Sequence, residues 1–100
     1  MKRNEDLRKR AVMRTGEMEW VSSPSEGVWR KRLDRDGEEV ARATSLVKFE
    51  PGSGFPHHVH GGGEEFLVLE GTFSDGGGDF PEGNYVRHPI DSDHAPWSDD

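Results

Sequence analysis

From Glu19 onward, apolar positions recur with period two in short runs, broken every few residues by Gly, Pro, Asp, Asn or Ser, a pattern that predicts an all-β domain. Val40 to Phe49 is the longest strand expected. Its positions Ala41, Ala43, Ser45, Val47 and Phe49 are small or apolar while Arg42 and Lys48 mark the wetter side, so one face should be buried. Before it, Val28 to Leu33 should end in a hairpin turn at Asp34-Arg35-Asp36-Gly37, because Asp-Gly supplies the positive φ of a tight turn. Glu50 to Gly54 turns the chain into Phe55 to His60. Glu65 to Glu70 reads as a strand whose Phe66-Leu67-Val68-Leu69 run is buried on both faces. Thr72 to Ser74, a loop at 75–79, a turn at 81–83 and the strand Tyr85 to Arg87 follow. Strands this short and evenly spaced suit a barrel or sandwich.

Residues 1–16 stand apart from this pattern and 17–100 form the β domain. Asn4 is placed to cap a short helix, with Glu5 and Asp6 in its first turn, Lys9 and Arg10 near its end and Gly16 as a stop. Leu7 and Ala11 give it only a narrow apolar stripe. Six Lys/Arg through Arg14 make it a basic arm or short helix, read as a packing or solvated terminus in preference to a nucleic-acid or partner surface.

Composition narrows the picture. One hundred residues with 30% hydrophobic and 33% charged content make one domain with a thin core, of the kind that gains stability from a bound metal or a second copy. The absence of cysteine excludes disulfides, thiolate zinc sites and a cysteine nucleophile. The net charge of -7 hides an asymmetry: residues 1–48 carry 12 Lys/Arg against 9 Asp/Glu, and residues 49–100 carry 1 against 11. The second half therefore favours cations and argues against nucleic acid. No apolar run is long enough to span a membrane and the N-terminus has no apolar signal core, so no membrane partner and a cytoplasmic location are expected.

The candidate chemistry lies in that acidic half, where Gly52, His58, His60, Glu64 and Gly71 fall at the spacing G-x5-H-x-H-x3-E-x6-G. Side chains at i and i+2 of a strand share a face, so His58 and His60 can hold one cation while Val59 packs behind. Gly61, Gly62 and Gly63 can bend the chain to bring Glu64 to the same point. A fourth donor, His94, lies downstream in Ser92-Asp93-His94-Ala95-Pro96-Trp97. The expected metal ligands are thus His58, His60, Glu64 and His94. His57 has the opposite parity and His88 reads as a solvated or loop-stabilising histidine. Glu65 and Glu70 read as solvated carboxylates rather than an acid-base pair. Phe66, Tyr85 and Arg87 are placed either in a pocket or in ordinary packing, and Trp97 is balanced between the two. The glycine triplets open no helix and carry no following Lys-Ser/Thr, so they are not phosphate loops.

The H-x-H-x3-E cluster with its late histidine closely resembles the metal motifs of the cupin superfamily. More narrowly, the run from Gly62 to Asp75 and Tyr85-Val86-Arg87-His88-Pro89 are similar to the cupin domain of ChrR-type anti-sigma factors, a resemblance covering roughly residues 18–100. It implies a double-stranded β-helix (jelly-roll) barrel, here one that can lack its last strand, with a short N-terminal arm. It also implies zinc, as in the anti-sigma relatives, or iron, as in dioxygenases with similar barrels; the donor set equally suits manganese or nickel. In that pattern the position of His57 is usually small and that of His88 commonly asparagine.

The function expected from the resemblance is a stand-alone metal-binding cupin that senses or processes a small molecule or oxidant. The alternative is a metal-dependent dioxygenase acting on a diketone-like or aromatic ketone substrate. Without cysteine the chain has none of the zinc-binding N-terminal domain that grips a sigma factor, so direct sigma inhibition is not expected. The ChrR-like pattern normally continues past Asp100 with one more strand. An edge left open there would pair with another chain, so a homodimer is expected, with Glu17 to Val21 or a neighbour's segment completing the sheet.

Overall fold

Short antiparallel strands, and no α-helix, make up the regular structure of the described residues. The computed structural model describes residues 2–37, 41–56, 58–60, 62–90 and 92–99, with the backbone alone at 41, 58–60 and 92. In chain order the strands are β1 (Lys2–Arg3), β2 (Val21–Ser22), β3 (Val28–Gly37), β4 (Ala41–Phe49), β5 (Ser53–Gly54) and β6 (His58–His60). They continue with β7 (Glu64–Leu67), β8 (Thr72–Asp75), β9 (Gly78–Pro81), β10 (Tyr85–His88), β11 (Ser92–His94) and β12 (Trp97–Ser98), and one 3-10 turn spans Thr15–Glu17. The chain divides into two compact units, Met1–Ser23 with Trp29–Lys48, and Pro24–Val28 with Phe49–Asp100.

In the first unit β3 is central and pairs with β1, β2 and β4. The turn expected at Asp34–Gly37 is strand instead. Lys2 pairs with Asp36 and Arg3 with Arg35, so ladder bonds to β1 override the local turn preference of Asp-Gly. Asn4, the expected helix cap, sits at φ 52 and donates its Nδ2 to the Leu33 carbonyl at 2.6 Å. Trp20 lies between two cations, Lys31 Nζ at 4.6 Å and Lys48 Nζ at 4.7 Å from ring centroids, which lets both lysine stems cover apolar surface. The buried face expected along β4 is formed only in part: Ala43 is exposed and Val47 is 47% exposed, while Ser45 and Phe49 are half-buried. Its ladder partner β3 lies in the same sheet and so leaves the faces of β4 to be covered by other elements.

In the second unit β5, β12, β8 and β9 form one sheet in that order, while β7 pairs with β10 and β6 with β11. The Phe55 N–H donates to the Pro96 carbonyl at 2.9 Å, so β5–β6 and β12–β11 run on as one antiparallel ribbon.

An aromatic cluster fills this unit. Phe73 meets Phe66 at 4.5 Å and Phe49 at 5.5 Å between ring centroids, Phe49 also meets Phe55 edge-on at 5.7 Å, and Phe66 reaches Phe80 at 6.1 Å. The run Phe66–Leu69 is not buried on both faces: Phe66 and Val68 turn inward, whereas Leu67 and Leu69 are exposed. One face of the strand packs on the aromatic cluster and the other meets solvent.

Gly54 marks the closest backbone approach in the ribbon, since a Cβ there would overlap the Pro96 carbonyl oxygen and lie 2.8 Å from Trp97 Cβ. Gly54→Ala is therefore expected to cost about 1–3 kcal/mol through overpacking. A thermal melt checks this, with a drop of several degrees expected for a domain of this size.

Candidate metal centre

Two cross-strand pairs build the site. The β7/β10 register sets Glu64 opposite His88, and the β6/β11 register sets His94 opposite His58. Directly opposed residues of an antiparallel pair lie on one face of the ladder, so the Glu64 and His88 side chains are neighbours by construction. Gly63 delivers Glu64 to this point at φ 82, a conformation that suits glycine, and a Cβ on it would stand 3.0 Å from the His88 carbonyl.

His94 is the buried centre of the group, 7% exposed. Its Nε2 lies 3.0 Å from Glu64 Oε2 and its Nδ1 lies 3.2 Å from Asp75 Oδ2. Asp75 closes β8, and its side chain is 1% exposed. The Gly77 N–H donates to Asp75 Oδ1 at 2.8 Å, across the two-residue turn Gly76–Gly77 that joins Asp75 to its register partner Gly78. Burial pushes the Asp75 carboxyl up, but the Gly77 N–H, the His94 hydrogen bond and the nearby positive charge of His88 and His94 together outweigh it and hold the group below its ordinary range. When the His94 ring carries a single proton, placing it on Nδ1 lets it donate to the ionised Asp75, and Nε2, on the side of Glu64, is then free to donate its lone pair to a cation.

His88 completes the cluster. Its side chain is 20% exposed and its Nε2 lies 3.2 Å from Asp75 Oδ2, with its ring 4.7 Å from that of His94 and 6.0 Å from Phe66 between centroids. One ligand atom each from Glu64, His88 and His94 falls within 4.8 Å of the others, a group that can hold a divalent cation. His88 Nε2 is buried, and its contact with Asp75 is not aligned as a hydrogen bond. A buried nitrogen of this kind, beside a carboxylate and a second imidazole, is the donor chemistry that a divalent cation satisfies.

Of the residues expected from sequence, Glu64 and His94 are thus brought together. His58 and His60 have their backbone in β6, with His58 at the register position of His94, and their side chains are outside the described structure; His57 lies outside the described residues. Glu65 faces away as its parity requires, accepting from the Tyr85 hydroxyl at 2.6 Å with Arg87 Nε 3.8 Å away, all three exposed. Sequence reasoning passed over Asp75, counted as the first loop residue although it ends β8, and read His88 as a solvated or loop-stabilising histidine, whereas it extends the expected strand Tyr85–Arg87 by the one residue that reaches Glu64. Glu64 and His88 also line an open cleft of about 560 Å³ that includes Gly63, Arg87 and Ile90.

The family model of the ChrR cupin-like domain matches residues 8–100. The chain belongs to the ChrR cupin-like family. No curated protein sequence matches it. The antiparallel all-β build is accordingly that of a cupin sandwich or barrel, and among the described residues no hydrogen-bonded ladder joins its sheets into a closed barrel. No helix of the described residues is long and apolar enough to cross a membrane.

Proposed function

We propose that this ChrR cupin-like domain binds one divalent metal ion through His58, His60, Glu64 and His94 and works as a stand-alone module that senses or processes a small molecule or oxidant. The observation that carries the reading is the fixed line Asp75–His94–Glu64, in which a buried carboxylate sets the His94 tautomer and leaves Nε2 facing a second carboxylate 3.0 Å away. The register partner of His94 is His58, and His60 follows two positions along the same strand, which supports adding both imidazoles to the set. When bound, the ion supplies Lewis acidity and open positions for an exogenous ligand. The protein's own residues hold it: Asp75 orients His94, Gly63 presents Glu64, and the cleft at Glu64 and His88 admits a small molecule. That cleft also supports the second reading, a dioxygenase acting on a diketone-like or aromatic ketone substrate.

Metal analysis of protein purified without oxygen tests the proposal. About one equivalent of zinc, iron, manganese or nickel per chain is expected, lost in His94→Ala and in His58→Ala/His60→Ala. Both variants should also melt lower than the loaded wild type, since an ion at 100 times its Kd adds about 2.7 kcal/mol to the folded state. Variants that keep the metal content and the melting temperature of the loaded wild type would refute it, as would a wild type whose melting a chelator leaves unchanged. Oxygen uptake with added diketones separates the two readings, being expected only of the dioxygenase.

A further inference from the structure

We infer that His88 is itself a ligand of this centre, taking one of the two positions that three imidazoles and one carboxylate leave open on a six-coordinate ion. The inference rests on the metal-binding reading above and extends its donor set.

Three observations carry it. The β7/β10 register makes His88 the cross-strand partner of Glu64, so the two side chains share a face whatever their rotamers. A ligand atom of His88 comes within 4.8 Å of those offered by both Glu64 and His94. Its Nε2 is buried, and among the described residues it has no aligned hydrogen-bond partner, its approach to Asp75 Oδ2 at 3.2 Å being unaligned. A histidine serving only to solvate the strand end would turn that nitrogen to water. One serving only as the ion-pair partner of Asp75 competes with His94 Nδ1, which already reaches the same oxygen at 3.2 Å, while the other oxygen takes the Gly77 N–H. Neither role explains an inward ring backed by Phe66 and set 4.7 Å from His94.

The consequence is a specificity. Five protein donors leave a single open position, which admits a ligand binding through one donor atom and refuses a chelating diketone. The sensory reading follows from that, and the dioxygenase reading does not.

The test uses the full chain loaded with cobalt(II), compared with His88→Asn, His88→Gln and His94→Ala, with circular dichroism of each metal-free protein as the folding control. His88→Asn and His88→Gln are expected to bind cobalt(II) at least ~10-fold more weakly in a chelator competition, on the scale of losses at metal-supporting residues. They should also shift its visible absorption and gain binding of acetylacetone, while the wild type binds azide and not acetylacetone. If either folded variant keeps the wild-type affinity and spectrum while His94→Ala loses the metal, the assignment of His88 is overturned and the metal reading stands. If His94→Ala also binds as wild type, both fall.

Discussion

Phe73→Ala is expected to lose about 3–5 kcal/mol of stability, the usual cost of emptying a phenylalanine site in a core. Small domains hold roughly 5–15 kcal/mol in all, so this single change brings the chain close to unfolding at ordinary temperature. The residue is chosen because it touches both halves of the aromatic cluster, Phe66 at 4.5 Å and Phe49 at 5.5 Å, and because the buried hydrophobic core of the described residues otherwise comes down to Val28 and Val68. Urea unfolding measures it, with Phe73→Leu as the partner that keeps most of the volume. Equal midpoints for wild type and Phe73→Ala would show that the cluster does not hold the second unit together. Phe66 also backs His88, so Phe73→Ala should weaken metal binding as well.

Asp75→Ala is expected to lower divalent-metal affinity about 10- to 100-fold, as removal of a carboxylate behind a ligating histidine does elsewhere. The variant frees the His94 proton to shift from Nδ1 to Nε2 and the ring to rotate, while every proposed ligand stays in the sequence. Isothermal titration with zinc checks it, and Asp75→Glu should recover part of the loss while Asp75→Asn should not. In the metal-free protein the same residue gives a pH dependence. Its folded carboxyl is held below the unfolded value of about 4, so its stabilisation is fully present above that value and drains away as the pH falls through the lower folded one. Wild type and Asp75→Asn should therefore differ in stability at pH 7 and converge toward pH 3. A difference unchanged across that range would remove the carboxylate's charge from the account.

Strand order along the chain was legible because period-two patterns and turn residues are local signals: β7, β8 and β10 begin within a residue of where alternation puts them, while β6 begins at His58 rather than Phe55. Burial was less so. The apolar run Phe66–Leu69 carries no information about which of its two faces another layer will cover, and only the side of Phe66 and Val68 is covered. The turn preference of Asp36-Gly37 was overridden by a strand some thirty residues earlier, a non-local pairing that no window reveals. For the site, spacing and parity pointed to Glu64 and His94, whose cross-strand neighbours belong to separate ladders. Parity alone could not find His88, since a register between distant strands is set by the turn that joins them and by packing. Asp75 was hidden by its setting in a glycine-rich stretch that reads as loop.

That stretch acts as a gauge. Gly76 and Gly77 form a two-residue turn, and the strand positions on either side are counted from it: Asp75 against Gly78, Ser74 against Asp79, Phe73 against Phe80. Because side chains alternate, one residue added to or taken from the triplet would shift one arm of the hairpin against the other, sending Asp75 or its pairing partners to the wrong side. Inward placement is shared by Phe73 and Asp75, two positions apart on β8, so a slipped count would withdraw the hydrophobic anchor and the histidine's carboxylate together. The composition of this segment looks permissive, but its length is fixed by both the core and the centre it supports.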